Sequence, residues 1–157
     1  MSAQEALARE KSQRIKAAAE ALGGLVALFM RSSEHNRYSI ADLEWLLLPA
    51  VINRQHLIVR APRAGDKALV PAAAIMWASV SDEYDQLFRQ NLGQRYQLTA
   101  EMRRSGENAW ITDTVGEPLL CERALVELRR TALKDRKLAL VRRQTDGTPL
   151  LIEHPAE

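Results

Sequence analysis

Few side chains in this sequence are suited to acid–base or covalent chemistry, and their scarcity narrows what they can do. There are three histidines, His35, His56 and His154, and one cysteine, Cys121. No His-x-x-x-His pair, Cys-x-x-Cys pair, phosphate-binding Gly-rich loop or Gly-x-Ser-x-Gly elbow occurs. With so few nitrogen and sulfur ligands, and those dispersed, no metal site is expected. His35 lies in the polar junction Arg31-Ser-Ser-Glu-His-Asn-Arg37. A neutral imidazole there stays wet enough to accept a proton, although a surface or helix-capping histidine is the more economical reading. Asp113 is an acid inside the apolar run Trp110-Ile-Thr-Asp-Thr-Val115. Period two puts Ile111, Asp113 and Val115 on one strand face, so Asp113 is partly buried if its neighbours face the core. A buried carboxylate needs a partner; orienting a histidine is one use, and satisfying an arginine or a loop amide is the other. Cys121 sits among Leu119 and Leu120, where a small buried hydrophobe is favoured over a nucleophile.

The elements that must carry these residues follow from periodicity and punctuation. Residues 1–17 read as a flexible or helical N-terminal arm, and 18–157 as a single domain. A helical pattern runs from Glu5 to Met30, with Gly23-Gly24 expected to break or kink it. Ser39 is a candidate N-cap, with Asp42 at N3, for a helix carrying Ile40, Leu43, Leu46 and Leu47 that Pro49 ends or kinks in its last turn. His56 to Arg60 and Leu69 to Val80 read as a hairpin about the Gly65-Asp66 turn. Ser81 caps a further helix, which Gly93 ends. Ala109 to Val115 forms a strand, and Pro118 starts a helix with Leu119, Leu120, Ala124, Leu125 and Leu128 on one stripe. Thr145-Asp-Gly-Thr148 joins a last pair of strands. The order helix, helix, ββ, helix, β, helix, ββ implies an α/β fold: an antiparallel or mixed central sheet flanked by helices.

At 157 residues the chain can bury one core without disulfides or metal. Its hydrophobic fraction is 46% and its charged fraction 27%, both ordinary for a globular domain and too apolar for a disordered one. The lone cysteine fits a reducing compartment. No run reaches the length of a membrane span, and the charged start lacks a signal-peptide core. Net charge is only +2, so no nucleic-acid partner is expected. The basic run from Arg129 to Arg143 is a solvated surface or a dock for an acidic protein; aromatic residues that would stack on bases do not interleave it.

Several short blocks, in order, resemble the RTX toxin-activating lysine acyltransferases. They are Ser32-Ser-Glu-His35, Pro49-Ala-Val51 with Gln55, Ile75-Met-Trp-Ala-Ser-Val-Ser81, and Arg104-Ser-Gly-Glu-Asn-Ala-Trp-Ile-Thr-Asp113. The resemblance runs from about Leu22 to Gly147. It departs at Val115-Gly-Glu-Pro-Leu119, at Met102 and at Glu34, changes that bear on donor, substrate or acyl-chain preference. The resemblance implies an acetyltransferase-like (GNAT-like) sheet and a cytoplasmic enzyme. That enzyme would take a fatty acyl group from acidic acyl carrier protein, with no permanently bound cofactor, and place it on internal lysines of an RTX-type protoxin. It implies His35 as the catalytic histidine and Asp113 as its orienting aspartate. It places Ser32 and the Ser105-Gly106 turn in the site, with Arg103 and Arg104 toward the donor. Backbone amides near Trp77-Ala78 or Asn108-Ala109 are candidates for the oxyanion. A homodimer is left open. The rival reading is a noncatalytic protein-binding adaptor that keeps the shell of such an enzyme.

Overall fold

The computed structural model describes residues 1–156. Helix α1 spans Ala3–Arg31, opened by a capping box in which Ser2 and Glu5 each bond the other's backbone amide. It runs unbroken through Gly23 and Gly24, so the expected break does not occur. At Gly24 the reason is packing: a Cβ would sit 3.3 Å from Pro71 Cγ, and glycine lets the helix lie close to the sheet. Residues 1–17 are exposed along their whole length, and burial begins at Ala21.

Short helices α2 (Leu43–Leu46) and α3 (Leu48–Ile52) follow. Ser39 and Asp42 exchange hydrogen bonds as a capping pair would, yet they close a turn rather than start a long helix. Pro49 stands in the first turn of α3, where its missing N–H costs nothing, instead of ending the element before it. Strands β1 (His56–Pro62) and β2 (Leu69–Val80) form the expected hairpin. Helix α4 (Asp82–Gln90) is capped by Ser81, whose hydroxyl accepts from the Tyr84 amide. Then come a 3₁₀ turn at Met102–Arg104, strand β3 (Asn108–Gly116), helix α5 (Pro118–Arg130) and the hairpin β4 (Leu138–Arg143) and β5 (Pro149–His154).

The five strands make one mixed sheet in the order β1-β2-β3-β4-β5, antiparallel except for the parallel β3–β4 pair. This is the acetyltransferase-like arrangement of a central sheet flanked by helices. Helices α1 to α3 bury Leu25, Leu28, Phe29, Leu47 and Ala50 against Ala74, Met76 and Val115 on one face. Helix α5 buries Ala124, Leu125 and Leu128 against Ile75, Trp77 and Ala109 on the other. Leu119, expected on that apolar stripe, is exposed, because at about 100° per residue it stands on the opposite side of α5 from buried Leu128.

Two irregularities in β3 shape the space around Asp113. Opposite β2 its register slips: Ile111 pairs with Trp77 and Asp113 with Met76, so Thr112 is an extra, bulged residue. Opposite β4 its ladder is short: Ala109 pairs with Leu138 and Trp110 with Ala139, and the two strands then part.

Candidate active site

The bulge decides where Asp113 points. Ile111 shares the face of Trp77 and packs with the α5 core, whereas Asp113 and Val115 lie on the α1 face with Met76 and Ala74. The expectation that Ile111, Asp113 and Val115 share one face is therefore corrected, because unbroken alternation fails where one residue is added.

Facing Asp113 is the tight turn after α1. Ser32 is the C-cap of that helix, and its carbonyl accepts from the amides of His35 (3.1 Å) and Asn36 (2.8 Å), folding the chain back on itself. The turn carries the His35 ring under Phe29, with ring centroids 4.4 Å apart, and leaves His35 only 4% exposed. His35 Nε2 lies 3.2 Å from Asp113 Oδ1, and His35 Nδ1 lies 2.7 Å from Ser32 Oγ. Residues 78 apart in sequence are thus joined in one buried pair.

Asp113 has a second partner that sequence reading missed. Arg95 grips it with both arms of its guanidinium, Nη1 to Oδ2 at 2.9 Å and Nη2 to Oδ1 at 2.8 Å. The Arg95 guanidinium carbon also lies 5.5 Å from the Tyr38 ring centroid. The two uses weighed for a buried Asp113, histidine and arginine, are both realised at once. Burial alone would push its carboxyl up, but the hydrogen bonds from His35 and Arg95 outweigh that and hold it below the usual carboxylate range. An ionised Asp113 accepts, so His35 Nε2 carries a hydrogen. Arg95 lies in a polar stretch between Gly93 and Tyr96 with no local motif. Its one sequence signal was indirect: a buried acid requires a cation.

Two cavities meet at this group. The first, about 1050 Å³, lies where β3 and β4 part; Ser32, His35, Asp113, Gly116, Cys121 and Leu140 contribute to its wall. Arg31, Arg142 and Arg143, all exposed, also line it. The second, about 800 Å³, is lined by aromatic residues including Tyr38, Trp45, Phe88, Tyr96 and Trp110. Ser33, Glu34, Arg95 and Asp113 border both.

A buried histidine–aspartate pair thus stands at the confluence of two cavities on an acetyltransferase-like sheet. A model of the RTX toxin acyltransferase family matches residues 14–153. The chain belongs to that family. Comparison with curated proteins found no significant match. As a family member it is an acyltransferase, and the buried His35–Asp113 contact is consistent with a catalytic dyad in such an enzyme.

Of the other residues that the sequence of this acyltransferase singles out, Cys121 lines the first cavity and Arg103 the second, and Arg104, Ser105 and Gly106 lie apart from both. Arg103 is not on a docking rim: it is 4% exposed, its Nη2 donating to the Trp77 carbonyl and to Thr112 Oγ1, the hydroxyl of the bulged residue. Burial draws its guanidinium down to about 10, against a pull from Asp113, which still leaves it charged near neutrality. Arg104 is exposed, and Arg104, Ser105 and Gly106 line neither cavity. Ser105 Oγ instead accepts from the Ser81 amide, and Gly106 passes so close to β2 that a Cβ would lie 2.5 Å from the Val80 carbonyl. This turn braces the end of β2. Gln55 is buried and donates to the Arg103 carbonyl. Its own carbonyl takes the Trp77 amide, which removes that amide from the oxyanion candidates. Cys121 is half-buried on the first cavity wall, and desolvation pushes its thiol up, away from the reactive thiolate. Among the described residues no cluster of three metal-ligating side chains occurs, and no helix is long and apolar enough to cross a membrane.

Proposed function

We propose that this acyltransferase moves a fatty acyl group from the thioester of acyl carrier protein to internal lysines of an RTX-type protoxin in the cytoplasm. The observation that carries the reading is the Asp113–His35 pair, ionised acid against imidazole, set in the wall of a cavity large enough for a thioester arm. An incoming lysine is an ammonium with a pKa of about 10.4 and has no lone pair to attack with. His35 is the general base that takes its proton, and Asp113 fixes the imidazole tautomer and stabilises the imidazolium. One of the ammonium's protons leaves to solvent and frees the lone pair. As the amine adds to the thioester carbon a C–N bond forms and its second proton goes to His35, and as the C–S bond breaks the departing sulfur takes that proton back. Beyond Trp110 the β4-facing edge of β3 has no ladder partner on β4, which offers main-chain groups to an amide-containing donor arm. Arg31, Arg142 and Arg143 at the same cavity supply the positive charge that would steer an acidic carrier.

The test is coexpression with a candidate protoxin and acyl carrier protein, with mass spectrometry of the protoxin's lysines. Wild type should acylate. His35→Ala and Asp113→Asn should lower the rate by about 10²–10⁴-fold while remaining folded. Full activity in either variant refutes the corresponding role. Tight binding to a protein partner without any transfer would favour the adaptor reading. Salt should weaken carrier association, and an affinity indifferent to salt would remove the three arginines from the proposal.

A further inference from the structure

The hydrogen-bond pattern constrains which atom of the imidazole can act. Asp113 is ionised and occupies Nε2, so the neutral ring has its only lone pair on Nδ1. That lone pair is already engaged by Ser32 Oγ at 2.7 Å. The ring itself is 4% exposed and lies under Phe29, whereas Ser32 is only partly buried. Both side chains line the first cavity, and Ser32 is the more exposed of the two. A substrate amine in that cavity therefore meets a hydroxyl before it meets the base.

We propose that Ser32 is a proton relay through which His35 acts, a role that rests on His35 being the general base. As the lysine nitrogen attacks the thioester carbon, its N–H proton passes to Ser32 Oγ while the serine's own hydrogen passes to His35 Nδ1. Serine ends the step as a hydroxyl, and the imidazolium is held between Ser32 as acceptor and Asp113. The ammonium must lose two protons in all. One reaches the thiolate sulfur as the C–S bond breaks, and the other leaves to solvent. The relay is rigid, because Ser32 is fixed by its amide bonding Phe29 O at 3.2 Å and its carbonyl receiving two turn amides. The arrangement also differs from a nucleophilic triad in use: the same hydroxyl transmits a proton and forms no bond to carbon.

The experiment measures acyl transfer by Ser32→Ala and Ser32→Thr together with a proton inventory in mixed light and heavy water. Ser32→Ala should lower kcat by about 100-fold with KM nearly unchanged, and Ser32→Thr, which keeps a hydroxyl, should recover most of the loss. Wild type should give a bowed inventory, two protons moving together, and the alanine variant a straight one. A straight wild-type inventory overturns the relay without recourse to any variant. So does a Ser32→Ala enzyme of near-normal kcat in a background where His35→Ala is inactive; that outcome leaves the base assignment standing. An acyl ester trapped on Ser32 by rapid quenching with donor alone would overturn it in favour of a nucleophile. If His35→Ala is itself fully active, the base assignment and the relay fall together.

Discussion

Arg95→Met removes both guanidinium bonds to Asp113 while keeping an apolar stem against Tyr38. Losing one partner of a fully buried ion pair costs about 3–5 kcal/mol, because the other charge is left uncompensated. Asp113 is 5% exposed at its side chain, but Arg95 is 37% exposed, so solvent already screens part of the interaction. Allowing for that, the expected loss is about 2–3 kcal/mol near pH 7, or roughly 4–12 °C in Tm for a chain of this size. The sign with pH is fixed by Asp113. Its carboxyl is depressed in the folded wild type, so its contribution is present above the unfolded value of about 3.9 and is lost as pH falls through the lower folded one. In the variant burial is opposed by His35 without Arg95, the carboxyl moves up, and acidification relieves the penalty by protonating it. The gap between wild type and variant should thus be widest near neutrality and narrow as pH falls through the raised carboxyl pKa of the variant. Urea unfolding followed by tryptophan fluorescence measures it at each pH. A gap below about 1 kcal/mol, or one indifferent to pH, would refute the argument that Arg95 balances a buried negative charge.

Further substitutions test the scaffold and the site. Gly23→Ala should stabilise by about 0.5–1 kcal/mol, because nothing lies within 4 Å of the added Cβ and glycine weakens a helix interior; chemical denaturation reads it. Gly106→Ala should destabilise by about 1–3 kcal/mol or more, since its Cβ would meet the Val80 carbonyl at 2.5 Å, and thermal melting should show a clear drop. Cys121→Ser should leave acyl transfer within about twofold of wild type, because a half-buried thiol pushed up by desolvation is a poor nucleophile at neutral pH. Loss of activity together with a trapped thioester in wild type would revive an acyl-cysteine route.

Much of the scaffold is legible in sequence because its signals are local. Leu69 to Val80 reads as a strand at both ends, Pro118 opens α5, and Thr145-Asp-Gly-Thr148 turns the last hairpin. The misreadings share a non-local cause. Gly23-Gly24 reads as a break because the sequence does not show Pro71 lying against Gly24. The face of Asp113 is misjudged because a bulge is a property of two strands' pairing. His35 and Asp113 are singled out by family resemblance, whereas residue chemistry alone favours a blander role for His35 and leaves that of Asp113 open. Arg103 looks like a docking residue because a basic pair in a turn is usually exposed; here the bulged Thr112 and the Trp77 carbonyl draw one of the pair inward. Arg95 is invisible until the space around Asp113 is assembled.

The turn at Ser32 has a consequence for when this protein acquires its chemistry. The Ser32–His35 contact spans three residues and can form as soon as the end of α1 is wound. The His35–Asp113 contact closes 78 residues and requires that helix to be seated on a finished sheet. A nascent or partly unfolded chain thus holds the hydroxyl and imidazole together with no carboxylate to fix the ring's tautomer. On the proposed mechanism, reactivity toward acyl donors therefore arrives last, as a signature that the whole domain has closed, and a loosened molecule would lose it before it loses its helices.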